Sequence, residues 1–316
     1  MSHASTRPNP NPNPPSETLL RSGAIAIGLC LSLAGGSLAC RSTPHRATPC
    51  SLRTPATDEA VATAELIPAP VWLDLLAPDH RDALSLRDPH TCSGAPLRAE
   101  SLAGSSQVLP LRTIDDSSLT IAQVGDNALV WARVLYYADG DALGALGLLS
   151  RHEDEGDPAG AHLEVIAIGA LRAPAKLLDL QVLPLSKDAQ VVITRGQRCP
   201  DSGGPCVIEI HLLPWVDDAF VDAPLLQGGR IAPARIRVHE SSLGPEDNNG
   251  WRQETEIRRQ VRTQAGKLII AETLRIRRCP SALPESCEEE ASVHRERVLS
   301  FDGQRLHAPP SLWAAD

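Results

Sequence analysis

The chain has 316 residues, 42% hydrophobic and 22% charged, a globular balance that excludes a disordered or collagen-like polymer. Its formal net charge of −9 leaves nothing to offset phosphate repulsion, which excludes a general nucleic-acid binder. With only five Trp, two Tyr and two Phe, the core has to be built from Leu, Val, Ile and Ala.

Residues 1–22 are polar, and the Pro/Asn run from Pro8 to Pro15 cannot form a helix. Arg7 and Arg21 give this stretch a positive bias against the single acid Glu17, and an uncharged run, Gly23 to Ala34, follows. A positive flank, a short apolar run and small residues before a cut make the pattern of a secretory signal. The ending Ser37-Leu38-Ala39-Cys40 resembles the lipobox of bacterial lipoproteins. Two positions depart from that family: Ser37 stands where Leu is usual, and Leu38 where a small residue is preferred. The resemblance implies that Cys40 is diacylated and becomes the new N-terminus. Two other readings stay open. Gly23 to Cys40 has a borderline length for a retained membrane anchor, and Ala39 fits an ordinary signal-peptidase cut. All three put residues after about 41 outside the cytoplasm.

The expected organisation is a signal over 1–39, an N-terminal segment with one disulfide over 40–110, and a β-rich domain over 111–316. The expected partners are the membrane, through the lipid on Cys40, and a protein or glycan, with no nucleic acid.

Of the eight Cys, Cys30 lies in the signal and Cys40 would carry lipid, leaving six, an even number that suits an oxidising compartment. Cys199–Cys206 brackets CPDSGGPC and Cys279–Cys287 brackets CPSALPESC, both inserts rich in turn formers. Spacing therefore predicts a local bridge across each loop, with Cys50 left to pair with Cys92. Zinc sites use tighter Cys spacing with further His or Cys ligands, so no metal and no cofactor is expected.

Thr57 to Ile67 predicts a short helix capped by Thr57 or Asp58. Beyond Ser117 the pattern changes to strands: 118–124, 128–137, 143–150, 163–168, 178–183, 190–195 and 207–213. The clearest runs over 251–264. There Trp251, Gln253, Thr255, Ile257, Arg259, Val261 and Thr263 share one face, and the other face is entirely polar. Ala265-Gly266 turns the chain into a β-branched run over 267–278, and Asp302-Gly303 signals a further hairpin. No long helix-period segment separates the strands, which argues against a parallel βαβ sheet. The two Cys loops are spaced 80 residues apart, as in a repeat near 178–226 and 250–309. The expected fold is mainly β: antiparallel strands in tandem hairpin-like units, an irregular sandwich or propeller-like array, behind a partly helical N-terminal segment.

Chemistry is sparse. Asp201-Ser202-Gly203-Gly204-Pro205 resembles the GDSGGP nucleophile segment of trypsin-like serine proteases, and Asp126-Asn127-Ala128-Leu129-Val130 loosely resembles the segment carrying their orienting Asp. The resemblance implies Ser202 as nucleophile, His90 as base and Asp126 as orienting acid. Pro200 replaces the family's Gly and has no N–H for an oxyanion hole. The bland reading is a clipped turn, like its sister loop, and no catalytic residue is expected on that reading. The acidic stretches 139–141, 152–157 and 246–250 offer hard oxygen ligands for calcium, yet none has EF-hand spacing, and such stretches read first as solvated turns. The Arg/Glu alternation at 252–262 reads as a solvated sheet face held by cross-strand pairs.

Overall fold

The computed structural model describes residues 50–55, 64–78, 90–94, 96–97, 107–109, 115–153, 160–217, 219–280 and 286–313. The protein is mainly β, with antiparallel hairpin-like strands in curled sheets. The signal region and Cys40 lie outside the described residues, as does most of the Thr57–Ile67 helix.

The helix that is described, α1, spans Ala69–Leu76 and lies beyond the expected stretch. Pro68 precedes it with φ −62°, and Pro70 sits in the first turn, where its missing N–H costs no hydrogen bond. It buries Trp72, Leu73, Leu75 and Leu76, and the Trp72 indole donates to the Ala64 carbonyl at 3.2 Å.

The first sheet has ten strands. Its path joins β2 (Leu119–Val124), β3 (Asn127–Tyr136), β4 (Asp141–Glu153) and β5 (Gly160–Pro174) to β9 (Ala219–Phe220), β8 (Val207–Val216), β7 (Gln190–Arg198) and β6 (Lys176–Pro184). β1 (Ser51–Pro55) adds to β5, and β12 (Arg235–Arg237) to β8. The sheet curls until its end strands β2 and β6 face each other across a groove lined by Thr120, Ala122, Lys176 and Asp179. Arg133 stitches that seam: Nη1 donates to the Ala175 carbonyl at 2.9 Å, and Nη2 to those of Leu119, at 3.0 Å, and Ser117. Burial lowers the pKa of this guanidinium. Inside the curl, Leu129, Trp131, Leu146, Leu148, Leu171 and Val192 form an apolar core, as the aliphatic composition requires.

The second sheet has seven strands in the order β11 (Arg230–Ala232), β10 (Leu225–Gln227), β17 (Leu306–Ala308), β16 (Glu288–Phe301), β15 (Lys267–Pro280), β14 (Trp251–Gln264) and β13 (His239–Glu246). β14 matches the expected strand in both bounds. Its hairpin to β15 turns at Ala265 and Gly266, whose φ values of 50° and 72° are the left-handed pair a two-residue turn of this hand needs. Val261, Leu268, Ile270, Leu299 and Leu306 pack against Val191, Ile193, Ile210 and Leu212 on the outer side of the first sheet.

All six cysteines pair: Cys50–Cys92, Cys199–Cys206 and Cys279–Cys287. The first reaches across 42 residues; the others close the β7–β8 and β15–β16 hairpins.

Candidate functional site

The Asp201-Ser202-Gly203 segment is a turn. The Gly203 amide donates to the Pro200 carbonyl at 3.1 Å, and the Asp201 amide to the Ala138 carbonyl at 2.9 Å. Gly203 takes φ 80°. The loop thus packs on the β3–β4 turn, and a Cβ on Gly140 would lie 2.5 Å from the Cys199 carbonyl oxygen. Asp126 lies at the other end of β3, in the β2–β3 turn. His90 is two residues from Cys92; that disulfide holds it by Val165, whose amide donates to the Cys50 carbonyl and which pairs with Leu149, the partner of Ala128. The ten residues of β3 therefore stand between Ser202 and the other two, about 30 Å at strand rise. The three are not brought together.

What the sequence did not reveal is a charged cluster that the Cys199 loop overlies. Asp141 accepts from Arg172 Nε at 3.1 Å and from Arg235 Nη2 at 2.6 Å. Arg172 Nη2 also donates to Asp139 at 3.0 Å. Arg235 bridges to Glu209 at 3.4 Å, and Arg198 grips Glu209 with both Nε and Nη2, at 3.0 and 2.8 Å. The acids of the Asp139–Asp141 calcium candidate are thus held by guanidinium groups. His211, beside them on β8, is pushed down to about 3 by burial, helped by Arg235 and Arg172, so it is neutral at physiological pH. The 246–250 candidate is a turn: Asp247 Oδ1 accepts the Asn249 and Trp251 amides at 2.8 and 2.9 Å, and Oδ2 accepts Arg278 at 3.0 Å. Most of the acidic stretch 152–157 lies outside the described residues. The one three-residue group of metal-ligand types among the described residues, Glu254, Cys279 and Cys287, has both sulfurs in a disulfide.

The expected polar face of β14 is mostly exposed, with one correction. Glu256, placed there as a solvated residue, is buried under Arg258 (2.6 Å), Arg277 (3.1 Å) and His239 (3.0 Å). Burial alone would raise its pKa; these cations outweigh it and hold the carboxyl below its ordinary 4.5. The inward face carries its own acid partner. Arg259 Nε donates to Glu272 at 2.9 Å and Arg297 Nη2 to the same oxygen at 2.7 Å. Ser311 Oγ and the Leu312 amide complete the cage at 2.6 and 2.9 Å.

Between the two sheets opens a cleft of about 510 Å³. Ile193 and Ile210 from the first sheet, Val261 from the second and Val238 at the link between β12 and β13 give it an apolar floor. Gln181, Gln260, His239 and three arginines make its rim. Two of those arginines are engaged: Arg258 on Glu256, and Arg259 on Glu272 and Glu240. Among the described residues Arg195 holds no ion pair; it is exposed and sits opposite Asp179 in the β6–β7 register. An apolar floor with a few convergent polar groups is the build of a ligand pocket. Nothing in it pairs a nucleophile with a base.

No family model, curated protein or solved structure matches this chain. Among the described residues, no helix is long and apolar enough to cross a membrane.

Proposed function

We propose that the chain is an exported, lipid-anchored β-protein of a bacterial cell envelope, a binding module without catalytic chemistry. The observation that carries the export reading is the closure of the six cysteines after Cys40 into three disulfides. Such bridges persist outside the cytoplasm and are rare within it. Lipid on Cys40 ties the chain to the membrane face. The cleft between β6–β8 and β13–β14 supports the binding reading. Its chemistry suits a group with one apolar side and a carboxylate or phosphate, set against Arg195, as a protein or glycan partner can present.

Expression in a bacterium with labelled palmitate tests the anchoring. The wild type incorporates label and fractionates with membranes, and Cys40→Ser abolishes both. Label retained in Cys40→Ser, or a freely soluble wild type, contradicts it. A fluorophosphonate probe tests the absence of catalysis: labelling lost in Ser202→Ala would restore the serine-hydrolase reading.

A further inference from the structure

Among the described residues, one long strand edge in the second sheet has no partner. β16 pairs with β15 on one side along Glu288–Leu299. On the other side it meets β17 only at Ser300 and Phe301. Among the described residues no strand covers that outer edge from 288 to 299. Every side chain from Glu288 to Glu296 is exposed, including Val293 at 43%. An open edge is a template for another strand, and proteins ordinarily blunt it with charge and bulges. β16 has both, but their arrangement is specific.

Over Glu288–Arg295 the charges are sorted along the strand: Glu288, Glu289 and Glu290 lead, and His294 and Arg295 follow, before Glu296 and Arg297 alternate again. The bulge sits at Glu290, because Ile276 pairs with Ala291 while Arg277 pairs with Glu289. With Glu290 set aside as the extra residue, the remaining positions are symmetric about Ser292. An antiparallel pairing of two copies about a two-fold axis there places Glu288 opposite Arg295, Glu289 opposite His294, and Ala291 opposite Val293.

The faces agree as well. Glu288, Ala291, Val293 and Arg295 pair with Arg278, Ile276, Leu274 and Glu272, which alternate on one side of β15. Glu289, Ser292 and His294 pair with Arg277, Arg275 and Thr273 on the other. A two-fold perpendicular to the sheet keeps each face continuous, so each proposed pair meets on a single side. Among the described residues Glu288 and Arg295, like the bulged Glu290, are charges left over within one chain. Glu289 already lies 3.8 Å from Arg275 and His294 4.0 Å from Glu296, whereas neither Glu288 nor Arg295 has an ion pair among the described residues.

We infer that β16 is a self-association edge: two copies of this chain pair antiparallel along Glu288–Arg295 about a two-fold axis at Ser292, extending the second sheet across the dimer. Such an interface is isologous, and strand addition supplies main-chain hydrogen bonds while the charge pattern fixes register. The paired segment is short, so the dimer forms in a concentration-dependent way, which tethering to one membrane would favour.

Sedimentation of the full purified chain over a concentration series tests this. The wild type moves from monomer to dimer mass. Glu288→Arg or Arg295→Glu, each placing like charges opposite twice per dimer, raises the dissociation constant by at least about tenfold. The swap Glu288→Arg with Arg295→Glu restores it. Both substituted side chains are exposed, and unchanged circular dichroism of the three variants certifies the fold. Independently, Ser292→Cys forms an intermolecular disulfide on mild oxidation, because facing antiparallel residues sit about 4.5–5.5 Å apart, within disulfide reach. A wild type that stays monomeric throughout, or a dimer indifferent to both reversals and uncrosslinked at Ser292, overturns the inference.

Discussion

The β6–β7–β8 and β14–β15–β16 meanders each carry a disulfide-clipped hairpin, yet they are built of different material. In the first, Val191, Val192 and Ile193 on β7 and Ile210, Leu212 and Leu213 on β8 are buried on both faces. One face looks into the curl and the other onto the second sheet. In the second, the turn-proximal ends join the core shared with the first sheet, through Val261, Leu268, Ile270 and Leu299, while Ile257 and Cys279 are buried further out. Further out, charged pairs hold the strands together. Apolar burial contributes roughly 25 cal/mol per Å² and is not screened by salt, whereas exposed ion pairs contribute about 0–1 kcal/mol each and are screened. The first sheet is therefore the stability reservoir, and the second is free to present its cleft wall and edge.

The largest expected difference comes from the two cores. Trp131 is fully buried in the first sheet, its indole donating to the Leu171 carbonyl at 3.2 Å. Trp131→Ala should cost roughly 3–5 kcal/mol, enough to unfold a marginal domain. Val298→Ala on the second sheet, where the side chain is 43% exposed, should stay within about 0.5 kcal/mol. Urea unfolding of both variants checks the contrast.

Glu272 is the exception that sharpens it. Glu272→Gln removes the counter-charge of two buried arginines, and breaking such a cluster from one side costs roughly 3–5 kcal/mol. The same residue sets a pH dependence. Burial pushes its pKa up, but Ser311, the Leu312 amide and both arginines outweigh that and hold it below its ordinary 4.5. A depressed carboxylate stabilises the fold above about pH 4.5 and loses that stabilisation as pH falls through the folded value. Glu256 acts in the same direction. Melting temperatures should thus fall steeply below pH 4.5 in the wild type and less steeply in Glu272→Gln.

The disulfides follow in size. In the chain-entropy model Cys50–Cys92, closing the longest loop, contributes about 4 kcal/mol, and each hairpin clip about 2.5. Paired Cys→Ser variants should fall in that order, each clip individually dispensable. Smallest is Asp302, exposed but held at about 2 by His307 and the Gln304 and Arg305 amides. Asp302→Asn should flatten only the acid edge of the melting curve, between about pH 4 and pH 2.

Much of the fold was legible because its signals are local. Period-two alternation located β14, and loop composition with Cys spacing selected the three bridges. α1 was missed because Ala69-Pro70 reads as a breaker in sequence, although Pro is welcome in a first helical turn. Alternation could not tell Glu256 and Glu272 from solvated acids, since burial depends on which sheet covers a face and on which cations converge there. The site was less legible still. Asp141 and Arg235 meet across 94 residues, and the cleft is assembled from five strands with no shared motif. Conversely, the DSGGP segment was conspicuous in sequence because turn chemistry and nucleophile loops draw on the same residues.

Native-state hydrogen exchange at two salt concentrations tests the division between the sheets most directly. Amides of β3, β4, β5, β7 and β8 should exchange only through global opening, whatever the salt. Those of β13, outer β14 and β15 near Trp251 and Arg278, and β16 before Arg297 should open at lower free energy and lose protection as salt rises. Uniform protection across both sheets, or salt-insensitive exchange in the outer part of the second, would contradict it.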